Sequence, residues 1–298
     1  MTPTSIESLL FQSPGVRVGI FRCPVHHPQF RTAGAIEGYS VAFPRTAVWI
    51  QHQGRNPFVA DPLVTTVYNK AQPYIRLPLA PDGDRVDWFS VSQPLAAAIA
   101  AAIDPASAET PLAPFRTERA PCAPALYRWQ RTLQCRIQRG ELPPLVVEQQ
   151  VVMLVGMVLE AGLPAARRPV VPAHRRAQLE LAEAARAELA RNLAVTPSLS
   201  ELAGRLQVSP FHLCRVFRRW NGMTLHEHLL ELRVRAALEG LAERPSDLSR
   251  LAHRLGFSSH SHFSAAFRRR MGTPPSRLRN VLRPSSDPTR DLARRRSA

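Results

Sequence analysis

The sequence predicts a mixed fold: a small N-terminal β-sandwich or barrel with accessory helices, then an all-α part with two helix-turn-helix units. Three observations carry this. Short β-branched or aromatic runs punctuated by Pro, Gly, Asp and Asn fill residues 16–91. Helical spacing dominates beyond residue 173, and the helical part repeats itself at an offset of 49 to 50 residues. At 298 residues the chain has room for two cores, and 45% hydrophobic residues exclude a fully disordered polymer.

The β elements are the runs GYSVAFP, AVWIQHQG, NPFVADP, LVTTVYNKAQPY and DWFSVS. Runs this short, joined by tight turns, suit a sandwich or a small barrel. Residues 94–102, PLAAAIAAA, open an Ala-rich helix, and two more helices are predicted at 126–138 and 145–160. The last carries Val147, Val151, Leu154, Val155 and Val158 at helical spacing, a stripe to be covered by the domain's own core or by a second copy. Residues 162–174, GLPAARRPVVPAH, read as a linker, and residues 284–298 as a basic disordered tail. The predicted division is therefore 1–165 for sensing and dimerisation, 166–173 as linker, 174–283 for DNA binding, and the tail.

Charge follows the same division. The net charge is +16, and Arg supplies every cation except Lys70. Residues 173–298 hold 23 Arg against 11 acidic residues, while residues 1–172 hold 16 cations against 12. This asymmetry points to a polyanion, with nucleic acid ahead of a membrane surface; a high-GC genome, which favours Arg, Ala and Pro, is the compositional alternative. Cys23, Cys122, Cys135 and Cys214 show no framework spacing, which suits a reducing cytosol. The N-terminus has no basic region followed by an apolar one, and the longest apolar run, VVMLVGMVL, is shorter than the roughly 20 residues a bilayer span needs.

The repeat sets SLSELAGRLQVSPFHLCRVFRRWNG (198–222) over DLSRLAHRLGFSSHSHFSAAFRRRMG (247–272). Each unit parses as short helix, tight turn, second helix. Leu202, Ala203 and Leu206 share one face of the first helix, and the small Ala permits close crossing. Ser209 is placed to N-cap the second helix with Pro210 in its first turn. Gly256 is available for positive φ and Phe257 for a buried plug. Leu213, Val216 and Phe217, and Phe263, Ala266 and Phe267, form the inner faces, and Gly222 and Gly272 the C-caps. Between the units, Thr224 and Glu227 make a capping box for a helix that runs to about Ala242, and Pro245 stops it.

Two basic helix-turn-helix units in tandem suit DNA: each second helix enters a major groove and its outward residues meet base edges. In the first unit these are Phe211, His212, Cys214, Arg215 and Arg218, with Arg215 suited to a bidentate contact to guanine. In the second they are Ser259, His260, Ser261, Ser264, Ala265 and Arg268. His260 faces DNA, whereas His262 packs or hydrogen-bonds within the domain. A redox role for Cys214 is the lesser alternative.

At LAGRLQVSPFHLCRVFRRWNGMT, Arg233, Ala236 and LAHRLGFSSHSHFSAAFRRRMGTPPSRLR the chain resembles the AraC/XylS family of bacterial transcription regulators. The resemblance implies that one subunit docks both recognition helices into successive major-groove segments, roughly 34 Å apart. Arg215 aligns with Ala265, so the second unit is expected to read fewer bases, through His260 and Ser261, or mainly to clamp phosphates. YSVAFPRTAVWIQHQGRNPFVADPLVTTVYNKAQPYIR and PDGDRVDWFSVS resemble the cupin-like sensing barrel of this family. The resemblance implies a homodimer, contact with RNA polymerase in activation, a cytoplasmic, nucleoid-associated site of action and no catalytic residues.

Trp49, Tyr68, Tyr74, Arg76 and Trp88 are the candidate effector contacts inside the barrel. FPR at 43–45 reads as a strand end ahead of an effector-anion contact. Cys23, His26, His27 and His52 are the only concentrated metal-ligand types, with CPVHHP placed before the first strand, so no metal or cofactor is expected. A cupin-type metal-dependent enzyme fused to a DNA-binding module is the alternative function; a DNA binder without sequence preference is a third.

Overall fold

The computed structural model describes residues 6–31, 34–166, 173–242 and 247–282. The N-terminal part is two antiparallel sheets. The larger uses β1 (Glu7–Gln12), β2 (Val16–Cys23), β4 (Tyr39–Pro44), β7 (Val64–Tyr68), β9 (Asp84–Val91) and β10 (Arg119–Pro121), in the order β1-β2-β9-β4-β7-β10. The smaller uses β3 (Gly34–Ala35), β5 (Val48–His52), β6 (Phe58–Ala60) and β8 (Pro73–Pro78), in the order β3-β8-β5-β6. β9 is the axis of the larger sheet: it pairs Asp84–Val91 with β2 from Cys23 to Val16 and Val86–Val91 with β4 from Pro44 to Tyr39.

All five predicted strand runs form strands, and four strands, β1, β2, β3 and β10, lie outside them. β1 and β2 precede GYSVAFP, so CPVHHP follows the second strand, with Cys23 its last residue, rather than preceding the first. β10 is a three-residue edge on β7.

The predicted helices form as α1 (Gln93–Ile103), α2 (Pro124–Gln138) and α3 (Pro144–Ala166). Helix α3 runs past the predicted end into the expected linker. Leu159 is buried, and Gly162 sits so close to Thr117 that any side chain there would collide with it, so packing carries the helix through a Gly/Pro stretch that composition reads as loop. Residues 167–172 of that linker lie outside the described residues, as do Pro245 and the tail beyond 282. The apolar stripe of α3 is covered by the chain's own core: Val147, Val151, Leu154, Val155 and Val158 are all buried beside Val41, Phe89, Ala96 and Ala100. Residues 144–163 are nonetheless long and apolar enough to cross a membrane by length and composition.

The helical part comprises α4 (Ala173–Arg191), α5 (Leu199–Arg205), α6 (Pro210–Asn221), α7 (Leu225–Ala242), α8 (Leu248–Arg254), α9 (His260–Met271) and α10 (Pro275–Leu282). The predicted caps form: Ser209 accepts from the His212 amide at 3.2 Å, and Thr224 and Glu227 satisfy each other's backbone. Ser198 and Glu201 add a reciprocal capping box that the sequence reading did not single out. Gly222 and Gly272 end α6 and α9 in left-handed conformation.

Helix α7 is the shared spine of the two units. Leu229 and Leu232 pack with Leu202, Leu213 and Phe217 of the first unit. Leu230, Val234, Ala237, Leu238 and Leu241 join Leu251, Phe257, Phe263 and Phe267 of the second. Arg233 ties the ends together: its Nε donates to the Leu193 carbonyl at 2.7 Å and its Nη2 to the Thr196 hydroxyl at 2.9 Å. The Arg233 guanidinium also lies against Gly256, whose φ is +76°.

Candidate nucleic-acid interface and ligand cavity

Helices α6 and α9 present the predicted faces. On α6, Leu213, Val216 and Phe217 are buried, while Cys214, Arg215 and Arg218 are exposed and His212 is half-buried. Phe211 in the first turn of α6 is 77% exposed, an unusual cost for an aromatic ring, and no described residue covers it. On α9, Ser259, His260, Ser261, Ala265 and Arg268 are exposed and Ser264 is half-buried. Two of these are partly engaged: Ser259 caps α9 through the His262 amide, and Ser264 lies 3.4 Å from His260 Nε2. His262 bonds Ser258 at 3.1 Å and packs edge-on against Phe257.

Among the described residues Arg215, Arg218, Arg219, Arg268 and Arg269 have no ion-pair partner, so their charge is directed outward. Arg270 differs, being held by Glu231 of α7. Exposed guanidiniums of this kind can neutralise phosphates or pair in bidentate fashion with a guanine.

A second site lies between the two sheets, a cavity of about 380 Å³. Tyr68, Tyr74, Arg76 and Trp88 line it, as predicted together. Trp49 does not: period-two alternation along β5 turns Val48 and Ile50 inward and Trp49 outward, where it packs near Val59, Leu79 and Ala187. Arg76 lines the cavity but is fully engaged, donating to the carbonyls of Phe30 (3.2 Å) and Gln29 (3.1 Å) and to Asp84 Oδ2 (3.2 Å). Burial raises the Asp84 carboxyl, against the pull of Arg76.

His52 lies behind this wall, stacked between Phe58 and Tyr68 and bonded through Nδ1 to the Gln72 amide. Burial, with Arg55 nearby, pushes its pKa down to about 4, so the ring is neutral at pH 7. Among the described residues no group of three or more His, Cys, Asp or Glu could hold a metal ion.

The strands that wall the cavity also hold α7. Arg45, one residue beyond β4, bonds Glu239 through Nε at 2.5 Å and faces Asp87 of β9 at 3.6 Å. Arg131 of α2 bonds Glu239 at 2.7 Å and Asp87 at 3.1 Å, and the Tyr127 hydroxyl donates to Glu239 at 3.0 Å. Burial pushes Glu239 up, but Arg131 and Arg45 outweigh it and hold the carboxyl below its usual range. A second cluster joins Asp61 to Arg186 of α4 at 2.8 Å and to His228 of α7 at 3.5 Å. There too burial raises the carboxyl and Arg186 and His228 overcome it.

A family profile described as "Helix-turn-helix domain" matches residues 202–280. The chain is 36% identical over 86 residues to the probable transcriptional regulator LumQ of Photobacterium leiognathi, covering 29% of this chain and 35% of that protein. It is 39% identical over 82 residues to the HTH-type transcriptional regulator GlxA of Rhizobium meliloti, covering 28% and 24%. A solved structure of an AraC-type transcriptional regulator from Chromobacterium violaceum is 28% identical, covering 38% of this chain and 96% of that one, with TM-score 0.33. Residues 202–280 are an AraC-type helix-turn-helix domain. The matched stretch spans about a quarter to a third of LumQ and GlxA.

Within the AraC-type domain, sequence reasoning missed how far its arginines turn inward. Arg235 of α7 is fully buried and donates to the carbonyls of Pro62 and Cys122 in the β part, over the Tyr127 ring. Its only sequence signal is an Arg inside an otherwise apolar helical stripe. Arg45, read as a strand end rather than an anion contact, holds a carboxylate of the AraC-type domain itself.

Proposed function

We propose that the chain is a sequence-specific DNA-binding transcriptional regulator, an activator, whose DNA affinity is set by a small-molecule effector in the β cavity. The observation that carries this reading is the pair of recognition helices on one rigid spine, each with exposed, unpaired arginines. The relatives named above, transcriptional regulators matched over the same segment, support it. Phe211, His212, Cys214, Arg215 and Arg218 read the first half-site. Ser259, His260, Ser261, Ser264 and Arg268 contact the second, with more phosphate clamping because Ala265 stands where the first unit has Arg215. Residues 1–165 sense and dimerise, 174–283 bind DNA, and no catalytic step is required. A homodimer, contact with RNA polymerase and a bacterial cytoplasmic location belong to the same reading through the family resemblance.

Binding of the full chain to labelled DNA from its own upstream region, against unrelated competitor and across salt, tests it. A competitor-resistant complex that weakens by ~1–3 kcal/mol in Arg215→Ala is the expected result. Equal binding to all DNA, unaffected by the substitution and lost steeply with salt, would mean the arginines act on phosphates alone.

A further inference from the structure

The cavity between the sheets contains a specific pattern of unmet hydrogen bonds. Asp84 is 3% exposed; Arg76 holds its Oδ2, while its Oδ1 has no partner among the described residues. Trp88, four residues along the same strand and 9% exposed, leaves its indole Nε1 without an acceptor among the described residues. Both atoms belong to residues that line the cavity. Leaving a carboxylate oxygen and an indole N–H buried and unpaired is costly, and a ligand that met both would recover that cost.

The charges of the wall choose the ligand's sign. Of its two guanidiniums, Arg76 is committed to three acceptors and the Phe21 ring at 4.4 Å, while Arg17 pairs through Nη1 with Glu37 at 3.0 Å, lies 5.7 Å from the Trp88 ring, and keeps its buried Nε–H without an acceptor among the described residues. An anionic group could reach Arg76 only by displacing one of its acceptors, which leaves it the single Nε–H of Arg17. Three carboxylates, Glu7, Glu37 and Asp84, line the cavity beside these two arginines, with burial raising the pKa of Glu7 and Asp84. Aromatic faces of Tyr68, Tyr74 and Trp88 add a surface that attracts a cation.

The spacing chooses the ligand's shape. Asp84, Val86, Trp88 and Ser90 alternate onto the cavity face of β9, which puts the Cα atoms of Asp84 and Trp88 about 13 Å apart at the usual rise per residue. The two residues therefore enter the cavity wall about 13 Å apart along the strand, a separation that favours an elongated ligand over one compact polar group.

Resting on the effector reading above, we propose that the cavity binds an elongated organic amine whose ammonium donates to Asp84 Oδ1 and whose far end offers an oxygen acceptor to Trp88 Nε1. Apolar side chains between, such as Ala42, Val48 and Ile50, cover its carbon body.

Three matched probes test this by calorimetry on the full chain: 6-aminohexanoate, hexylamine and hexanoate. Affinities are expected in the millimolar range for ligands of this size. Hexylamine should bind at least about ten-fold more tightly than hexanoate, and 6-aminohexanoate more tightly than either. Asp84→Asn should abolish the preference for the amines, and Trp88→Phe should erase the advantage of 6-aminohexanoate over hexylamine. Because Asp84→Asn also weakens the Arg76 pair, Ala42→Leu serves as a second variant: it narrows the cavity, leaves the polar pairs intact and should weaken all three probes.

Hexanoate binding as well as the amines would overturn the proposal. So would amine binding that ignores both Asp84→Asn and Ala42→Leu, or no binding by any amine at millimolar concentration. DNA binding by the same preparations is read in parallel. Its loss in ligand-free wild type would count against the regulator reading, whereas a wrong probe order with DNA binding intact would sink only the ligand class.

Discussion

Replacing Glu239 with Ala should destabilise the full chain by about 3–5 kcal/mol, the usual effect of removing one member of a buried ion cluster. The magnitude follows from the contacts. Glu239 accepts charge-assisted bonds from Arg45 and Arg131 and a third bond from Tyr127, and all three donors are buried around it. Without it, Arg45 and Arg131 remain buried with Asp87 as their sole carboxylate, an uncompensated positive charge. Such a loss would remove a large share of the 5–15 kcal/mol that holds a typical domain folded. Urea unfolding at pH 7 by tryptophan fluorescence and circular dichroism measures it. Pairing Glu239→Ala with Arg131→Met should cost less than the sum of the two, by about 1–3 kcal/mol, because the second change removes the stranded charge. A loss below about 1 kcal/mol in the single variant, or strict additivity in the double, would refute the view that this cluster fastens α7 to the β part.

The two turns of the repeat predict opposite responses. Gln207 sits at φ +55° where the second unit has Gly256 at φ +76°, so Gln207→Gly should raise the unfolding midpoint, by about 0.5–1 kcal/mol. Gly256→Ala should lower stability by more than that, since its Cβ would strike the Ala194 carbonyl and the Arg233 guanidinium; equal effects would argue against the turn geometry. His52 should make the chain acid-sensitive. Its folded pKa of about 4 lies below the unfolded value of about 6.5, so the unfolded chain takes the proton first. Stability is then complete above pH 6.5 and falls toward pH 4 by at most about 3 kcal/mol. Urea midpoints between those limits should depend less on pH in His52→Gln, and an unchanged slope would exclude His52 as the source.

The helical repeat was legible because its signals are local. Caps, left-handed glycines and apolar faces recur within a dozen residues, and each forms where the spacing puts it. The β part was legible only where strands are buried. β1 is missed because it is an outer strand, mostly exposed, without sustained alternation, and β10 because three residues carry no period. Trp49 shows the limit of residue type as a guide: an aromatic handle on a barrel strand is equally plausible on either face, and only the register decides. The buried charge clusters had no signal at all. Arg45, Asp87, Arg131 and Glu239 are separated by more than forty residues each, and nothing around any one of them announces the other three.

Those same charges define how a cavity ligand could reach the DNA-binding helices. On β9, Asp84 and Trp88 face the cavity while Asp87 meets Arg45 and Arg131; on β4, Ala42 and Pro44 face it while Arg45, the next residue, holds Glu239. Strands are stiff at this scale, so a ligand that resets either strand must reset the carboxylates and guanidiniums that seat α7, and α7 sets the relative placement of both recognition helices. Coupling through one shared element is reciprocal. If 6-aminohexanoate changes operator affinity by some factor, operator DNA must change 6-aminohexanoate affinity by the same factor. Arg45→Met removes the β4 link to Glu239 without touching the cavity lining, and should bring that factor toward one while leaving probe binding to the free protein intact. A factor that survives Arg45→Met unchanged would show that the signal bypasses β4, leaving Asp87 on β9 and the separate Asp61–Arg186–His228 cluster as the remaining physical connections to test.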